Sequence, residues 1–99
     1  MLSLLEEWET DIRISACPNP FLSDVVFEVF SLGDRSHQVE VAVFDIRGRK
    51  LRDLSSPPNG SAYLVWDGRD LQGENVAPGV YFASVCVGPE TSIQKLVKR

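Results

Sequence analysis

Asp67, Asp70 and Glu74 fall in one loop, and carboxylates that close together are hard oxygen donors of the kind that hold Ca2+. The spacing is not that of an EF-hand, because no D-x-[DN]-x-[DN]-G run is present. Asp side chains more often accept nearby backbone N–H groups and lock tight turns. The run from Trp66 to Phe82 contains Gly68, Gly73 and Gly79, which supply the left-handed positions that consecutive turns need. Turn formation is therefore the favoured use of these acids. No metal is expected, and Asp67, Asp70 and Glu74 are the candidates should one bind.

Other chemistry has less to stand on. His37 is the only histidine and lies beside Ser36, near a loop-to-strand junction, where a solvated imidazole is expected rather than a general base. Cys17 and Cys86 are the two cysteines. They fit no CxxC metal or redox motif, and one His with two distant Cys makes no usual zinc set. The favoured reading is two small buried apolar residues, with a disulfide left open, because sequence does not fix the geometry a bond needs. No GxSxG elbow and no phosphate-cradling glycine loop occurs, and no carboxylate pair stands out for acid–base work. The chain is expected to be neither an enzyme nor a cofactor carrier.

The elements that must position these residues belong to one domain. The chain has 99 residues, 43% hydrophobic and 24% charged, enough for one domain with a modest core. Its net charge of −4 and pI near 4.8 argue against nucleic acid as a partner and give no general pull towards anionic membranes. The positive clusters are Arg47, Arg49, Lys50 and Arg52, then Lys95, Lys98 and Arg99, and solvated strand faces account for both. No apolar run is long enough to span a membrane. The N-terminus lacks a basic n-region and an Ala-x-Ala site, so any export signal is expected upstream in a longer parent.

Residues 1–10 read as a linker or lead-in: Ser3 and Glu6 match a capping box, and Leu4, Leu5 and Trp8 have helical spacing. From residue 11 the signals are strands and turns. Strands are expected at Asp11–Cys17, Val25–Phe30, Gln38–Asp45, Lys50–Leu54, Ala62–Trp66, Val80–Val87 and Ser92–Lys98. Pro18-Asn19-Pro20 breaks the first, Leu32–Ser36 is a polar turn, Arg47-Gly48 marks a hairpin, and Pro57–Gly60 is a loop. Apolar residues on both faces of Gln38–Asp45 place it centrally. The result is an all-β domain over 11–99, an immunoglobulin-like antiparallel β-sandwich of about seven strands. Lys95, Lys98 and Arg99 either blunt the edge of the last strand or form a signal that a partner reads by adding to that edge or capturing the terminus.

Several motifs follow in a fixed order: Pro18-Asn19-Pro20-Phe21, then Val43-Phe44-Asp45-Ile46-Arg47-Gly48-Arg49, then Trp66-Asp67-Gly68 through Tyr81-Phe82, then Lys95-Leu96-Val97-Lys98. In that order they resemble the C-terminal sorting domain of bacterial type IX secretion substrates, type A. They are also similar to the Ig-like domain of the flagellar hook-capping protein. The resemblance covers roughly Ile12 to Arg99. The Trp66–Phe82 loop is closer to the hook-cap version, and Cys17 stands where an aromatic or other apolar residue is more usual.

The resemblance implies a non-catalytic address at the C-terminus of a larger exported cargo. Its partners would be the secretion translocon and a sortase-like peptidase, and its place the cell surface, at the outer membrane of a Gram-negative bacterium. The matching positions are Pro18, Asn19, Pro20, Asp45, Gly48, Lys95 and Lys98, with Arg99 completing the basic strand end. Two other readings remain open from sequence. One is a structural Ig-like module of a hook-cap-type assembly or an extracellular enzyme. The other is a Ca2+- or carbohydrate-binding sandwich offering the rings of Trp66, Tyr63 and Tyr81 to a sugar, although core packing or turn covering is the favoured use of those rings.

Overall fold

The computed structural model describes residues 12–31, 38–56 and 61–99. The expected lead-in, the Leu32–Ser36 turn, His37 and the Pro57–Gly60 loop lie outside these. Seven strands follow in order: β1 (Ile12–Cys17), β2 (Val25–Ser31), β3 (Val39–Asp45), β4 (Lys50–Ser56), β5 (Ser61–Trp66), β6 (Gly79–Val87) and β7 (Glu90–Lys98). They form two antiparallel sheets, β1-β2-β5 and β4-β3-β6-β7. The chain changes sheet between β2 and β3, β4 and β5, and β5 and β6, giving the crossed connections of an immunoglobulin-like sandwich.

Period-two alternation builds the core, because successive side chains leave a strand on opposite faces. Val39, Val41 and Val43 of β3 are buried and lie opposite Val87, Val85 and Ala83 of β6. Val25, Phe27 and Val29 of β2 face inward from the other sheet, joined by Leu64 and Trp66 of β5. Each fully buried valine contributes about 1.5–3 kcal/mol through the water it leaves behind. β3 is hydrogen-bonded on both sides, to β4 and β6, as its two apolar faces suggested. β7 is an edge strand, with Leu96 its one buried side chain.

Two expectations need correction. Neither cysteine is a buried core residue: Cys17 is exposed at the end of β1, Cys86 is half-buried on the outer face of β6, and both are free thiols. They belong to different sheets and point outward, because their alternation registers oppose those of the core positions. The sugar-binding alternative also loses two of its three rings to core packing, the use favoured for them. Trp66 is fully buried and Tyr81 is 7% exposed, while Tyr63 stands out at 70% and donates its hydroxyl to Glu28 at 2.9 Å.

Candidate partner-binding site

β1, β3, β5 and β7 all finish at one end of the sandwich, where β2, β4 and β6 begin. This lower end collects all the residues singled out by motif, although they are spread from Pro18 to Arg99.

The Pro18–Phe21 segment seals it on one side. Pro18 and Pro20 have no N–H to give a ladder, and both of their preceding peptide bonds are cis. Between them the Asn19 side chain acts as a piece of strand. Its Nδ2 donates to the Lys95 carbonyl at 2.9 Å, and its Oδ1 accepts the Val97 N–H at 3.0 Å. Phe21 continues the pairing: its N–H donates to the Val97 carbonyl at 2.8 Å and its carbonyl accepts from the Arg99 N–H at 2.9 Å. Each such bond contributes about 1 kcal/mol. The outer edge of β7 is thereby closed from Lys95 to Arg99. A partner cannot add a strand there, contrary to one sequence reading, and recognition at this stretch must use side chains.

Under that segment stands an aromatic column. The Phe21 ring lies 5.6 Å from Trp66, and Trp66 lies 5.8 Å from Tyr81 in an edge-on arrangement. These tilted geometries suit the quadrupoles of aromatic rings. The Trp66 Nε1–H donates to the Arg69 carbonyl at 2.9 Å, and the Tyr81 hydroxyl donates to the Ala77 carbonyl. Burial is the first cause that raises the Tyr81 hydroxyl above its ordinary pKa, and the Asp45 charge adds to it.

The loop from Asp67 to Pro78 is folded by its own acids. Asp67 Oδ1 accepts the Arg69 N–H at 3.0 Å and the Arg52 guanidinium at 2.8 Å. Asp70 Oδ1 accepts the N–H groups of Gln72 and Glu74 at 2.9 and 3.0 Å. These are the Asx turns that the sequence favoured over a Ca2+ site. Among the described residues no group of three or more His, Cys, Asp or Glu is arranged to hold a metal ion. Lys98 fastens the loop to β7, its ammonium donating to the Val76 carbonyl at 2.8 Å.

The β3–β4 hairpin follows the same rule. Asp45 Oδ1 accepts the N–H groups of Arg47 and Arg49, both at 2.9 Å, while Gly48 takes a left-handed φ of 84°. Its other oxygen meets the Arg49 guanidinium at 3.2 Å. Between this hairpin and the loop lies an open cleft of about 350 Å3, lined by Asp45, Arg49, Asp70, Glu74 and Tyr81. A larger groove of about 400 Å3 crosses the outer face of the four-stranded sheet beside Glu40, Lys50, Asp53 and Cys86. The Cys86 sulfur is approached there by the hydroxyls of Thr91 at 3.6 Å and Ser84 at 4.0 Å, which are not bases at neutral pH.

The residues named from sequence therefore sort into two sets. Asn19, Asp45 and Lys98 use their polar groups to hold the fold, and Gly48 closes its turn. Pro18, Pro20, Lys95 and Arg99 are exposed. What the sequence reading passed over is apolar: Leu22, Ile46 and Leu71 stand 72%, 72% and 61% exposed on three loops of this same end. Their signal was an aliphatic residue inside a turn rather than a strand.

The titration of the turn acids gives a measurable consequence. Asp45 lies below its ordinary value of 3.8, chiefly because the Arg49 N–H bonds its charged form. For Asp67, burial pushes upward from 3.8, but the Arg69 N–H and Arg52 outweigh it and the result is also lowered. A folded-state pKa below the unfolded one gives stability that is present above the unfolded value and lost as pH falls through the folded one. The urea midpoint is expected to hold between about pH 7 and 5 and to drop below about pH 4, less steeply in Asp45→Asn. A midpoint unchanged down to about pH 3 would contradict this assignment.

Two solved structures share this fold over most of the chain. The first is dimeric latent PorU from Porphyromonas gingivalis, with a TM-score of 0.69 and 19% identity over 88% of this chain. The second is PorZ of the same organism, described as an essential bacterial surface component of the type-IX secretion system, with a TM-score of 0.60 and 21% identity over 87% of this chain. The chain spans 9% of the PorU chain and 11% of the PorZ chain. At these identities the likeness is one of fold. No family model and no curated protein matches the chain.

Proposed function

We propose that this domain is a non-catalytic sorting module that directs a larger exported protein through type IX secretion to the cell surface. The observation that carries the reading is the convergence at one end of the sandwich. Pro18-Asn19-Pro20, the Asp45–Gly48 turn and Lys95–Arg99 are remote in sequence, yet hydrogen bonds and strand register bring them together. The motifs that resemble those of a type A sorting domain thus lie at one end of the fold, which supports this reading. The fold likeness to a segment of PorZ, itself described as a type IX surface component, supports the same context. In this reading Asn19, Asp45 and Lys98 shape the surface. Lys95 and Arg99 present charge to the translocon and to a sortase-like peptidase, and the cargo precedes β1 at the opposite end.

The test is a fusion of the whole 99-residue chain to the C-terminus of a periplasmic reporter, expressed in a bacterium with an active type IX system. The reporter is expected at the cell surface or in the medium, and in the periplasm when the system is deleted. Lys95→Glu with Arg99→Glu, both at exposed positions, is expected to cut export severalfold without changing the melting curve. Retention of the unmodified fusion in the periplasm of the competent strain would sink the proposal.

A further inference from the structure

The three exposed aliphatic side chains at the lower end sit on three different connections. Leu22 is on the β1–β2 connection, Ile46 on the β3–β4 turn and Leu71 on the β5–β6 loop. Each large apolar side chain left in water is unfavourable, and three at one end are a patch that asks for a partner. They are exposed on three separate turns. A fluid bilayer needs no matching shape and accepts such side chains one by one at the headgroup–acyl boundary.

The charge around them fits an anionic leaflet. The carboxylates of Asp45, Asp67 and Asp70 turn back onto their own backbone amides. Arg49, Arg52 and Lys98 are held by Asp45, Asp67 and the Val76 carbonyl, while Arg47, Arg69 and Arg99 are exposed. Arg47 follows Ile46 directly and, like Arg99, has no side-chain partner among the described residues. Arg69 reaches over the Leu71 loop to the Gly73 carbonyl at 3.1 Å. Asp24 and Glu74 are the exposed acids at this end.

The net charge of −4 on the chain comes from the residues that precede β1 in sequence. Of its 14 acids, Glu6, Glu7, Glu9 and Asp11 precede β1 and no base does, so the domain from residue 12 onward has equal numbers of acids and bases. The first residue of β1 pairs with the last of β2, so β1 starts at the end opposite the apolar tips. The whole-chain charge therefore does not describe the end that carries the apolar tips. Two basic clusters separated in sequence, Arg47–Arg52 and Lys95–Arg99, lie at this end on opposite edges of the four-stranded sheet.

We propose that the lower end docks on an anionic lipid leaflet, with Leu22, Ile46 and Leu71 entering the headgroup boundary and Arg47, Arg69 and Arg99 meeting phosphates. The test is co-sedimentation of the full chain with phosphatidylcholine vesicles with and without phosphatidylglycerol. Binding is expected to the phosphatidylglycerol vesicles and to weaken as salt is raised, since exposed charges are screened. The triple variant Leu22→Glu, Ile46→Glu, Leu71→Glu is expected to bind more than about tenfold more weakly, with an unchanged melting curve, because the tips are exposed. Arg47→Ala is expected to lose roughly fivefold, one basic residue's share at a charged surface. Ile93→Glu alters a residue 61% exposed on the side of the four-stranded sheet and is expected to leave binding intact.

No binding to phosphatidylglycerol vesicles overturns the proposal. So does a loss in Ile93→Glu equal to that of the triple variant. A chain that ignores vesicles but is held by a protein partner through Leu22, Ile46 and Leu71 overturns it as well. This outcome is independent of the export assay, which reads delivery and not lipid affinity.

Discussion

Replacing Trp66 by alanine is expected to destabilise the domain by about 3–5 kcal/mol, the largest effect of any single truncation in this core. The indole is fully buried, and it is the largest side chain so enclosed. It touches Phe21 on one side and Tyr81 on the other, and its Nε1–H fixes the Arg69 carbonyl. Alanine would open a cavity between two aromatic rings and release the start of the Asp67–Pro78 loop. Small domains are stable by only about 5–15 kcal/mol, so much of the folded population is at risk. The melting temperature should fall by more than about 12 °C, at roughly 4 °C or more per kcal/mol for a domain this size. Trp66→Phe keeps most of the volume and loses one bond, and Arg52 still reaches the Arg69 carbonyl at 3.2 Å. That variant should cost about 1–2 kcal/mol. Melting of Trp66→Ala within a few degrees of the parent would mean that the indole is not the keystone of this end.

Gly68→Ala is expected to cost about 2–4 kcal/mol, for two separable reasons. Its φ of +76° is one that a side chain resists. In addition, a Cβ there would lie 2.7 Å from the Ser23 carbonyl oxygen and 3.7 Å from the Lys98 ammonium nitrogen. The first contact is with backbone, so relief requires moving the segment that follows Phe21. Gly48→Ala is the control: its φ of +84° is similar, but nothing lies within 4 Å of the added carbon. It should show the conformational cost alone, about 1 kcal/mol. Paired urea titrations measure the difference. Equal losses in the two variants would show that the Ser23 approach carries no energy.

Both experiments probe the same junction, where the β1–β2 connection, the β5–β6 loop and β7 meet. That junction also bears on function. If Lys95 and Arg99 are read by secretion machinery, as proposed, their presentation depends on Asn19 and Phe21 holding β7 and on Gly68 letting the loop approach. A variant there can abolish export by misplacing β7, without removing any group that a partner touches. Export assays on this domain should therefore be accompanied by melting curves.

Much of the architecture was legible in the chain. Alternation puts Val39, Val41 and Val43 on one face of a strand and Ala42 and Phe44 on the other, and the structure buries those valines. Gly48 and the Asx residues mark the turns correctly, because turn chemistry is local and acts within a few residues. Boundaries moved where pairing extends a strand beyond its own pattern. β7 begins at Glu90 rather than Ser92, because β6 turns back at Gly88-Pro89 and the ladder starts at once between Val87 and Glu90. The outward cysteines were misread because an apolar residue in a strand does not reveal which face it takes when its neighbours are mixed.

The sequence by itself determined the strand-and-turn alternation and the order of motifs, since turn chemistry and side-chain alternation act between near neighbours. Only the tertiary structure decided what those motifs do. It turned the Asn19 amide onto β7, closed the outer edge of that strand with Asn19 and Phe21, and set Trp66 between Phe21 and Tyr81. It also gathered Leu22, Ile46 and Leu71 with two remote basic clusters at one end. Such outcomes depend on which strands become neighbours across sheets, and that is set by the packing of the whole core rather than by any local run of residues.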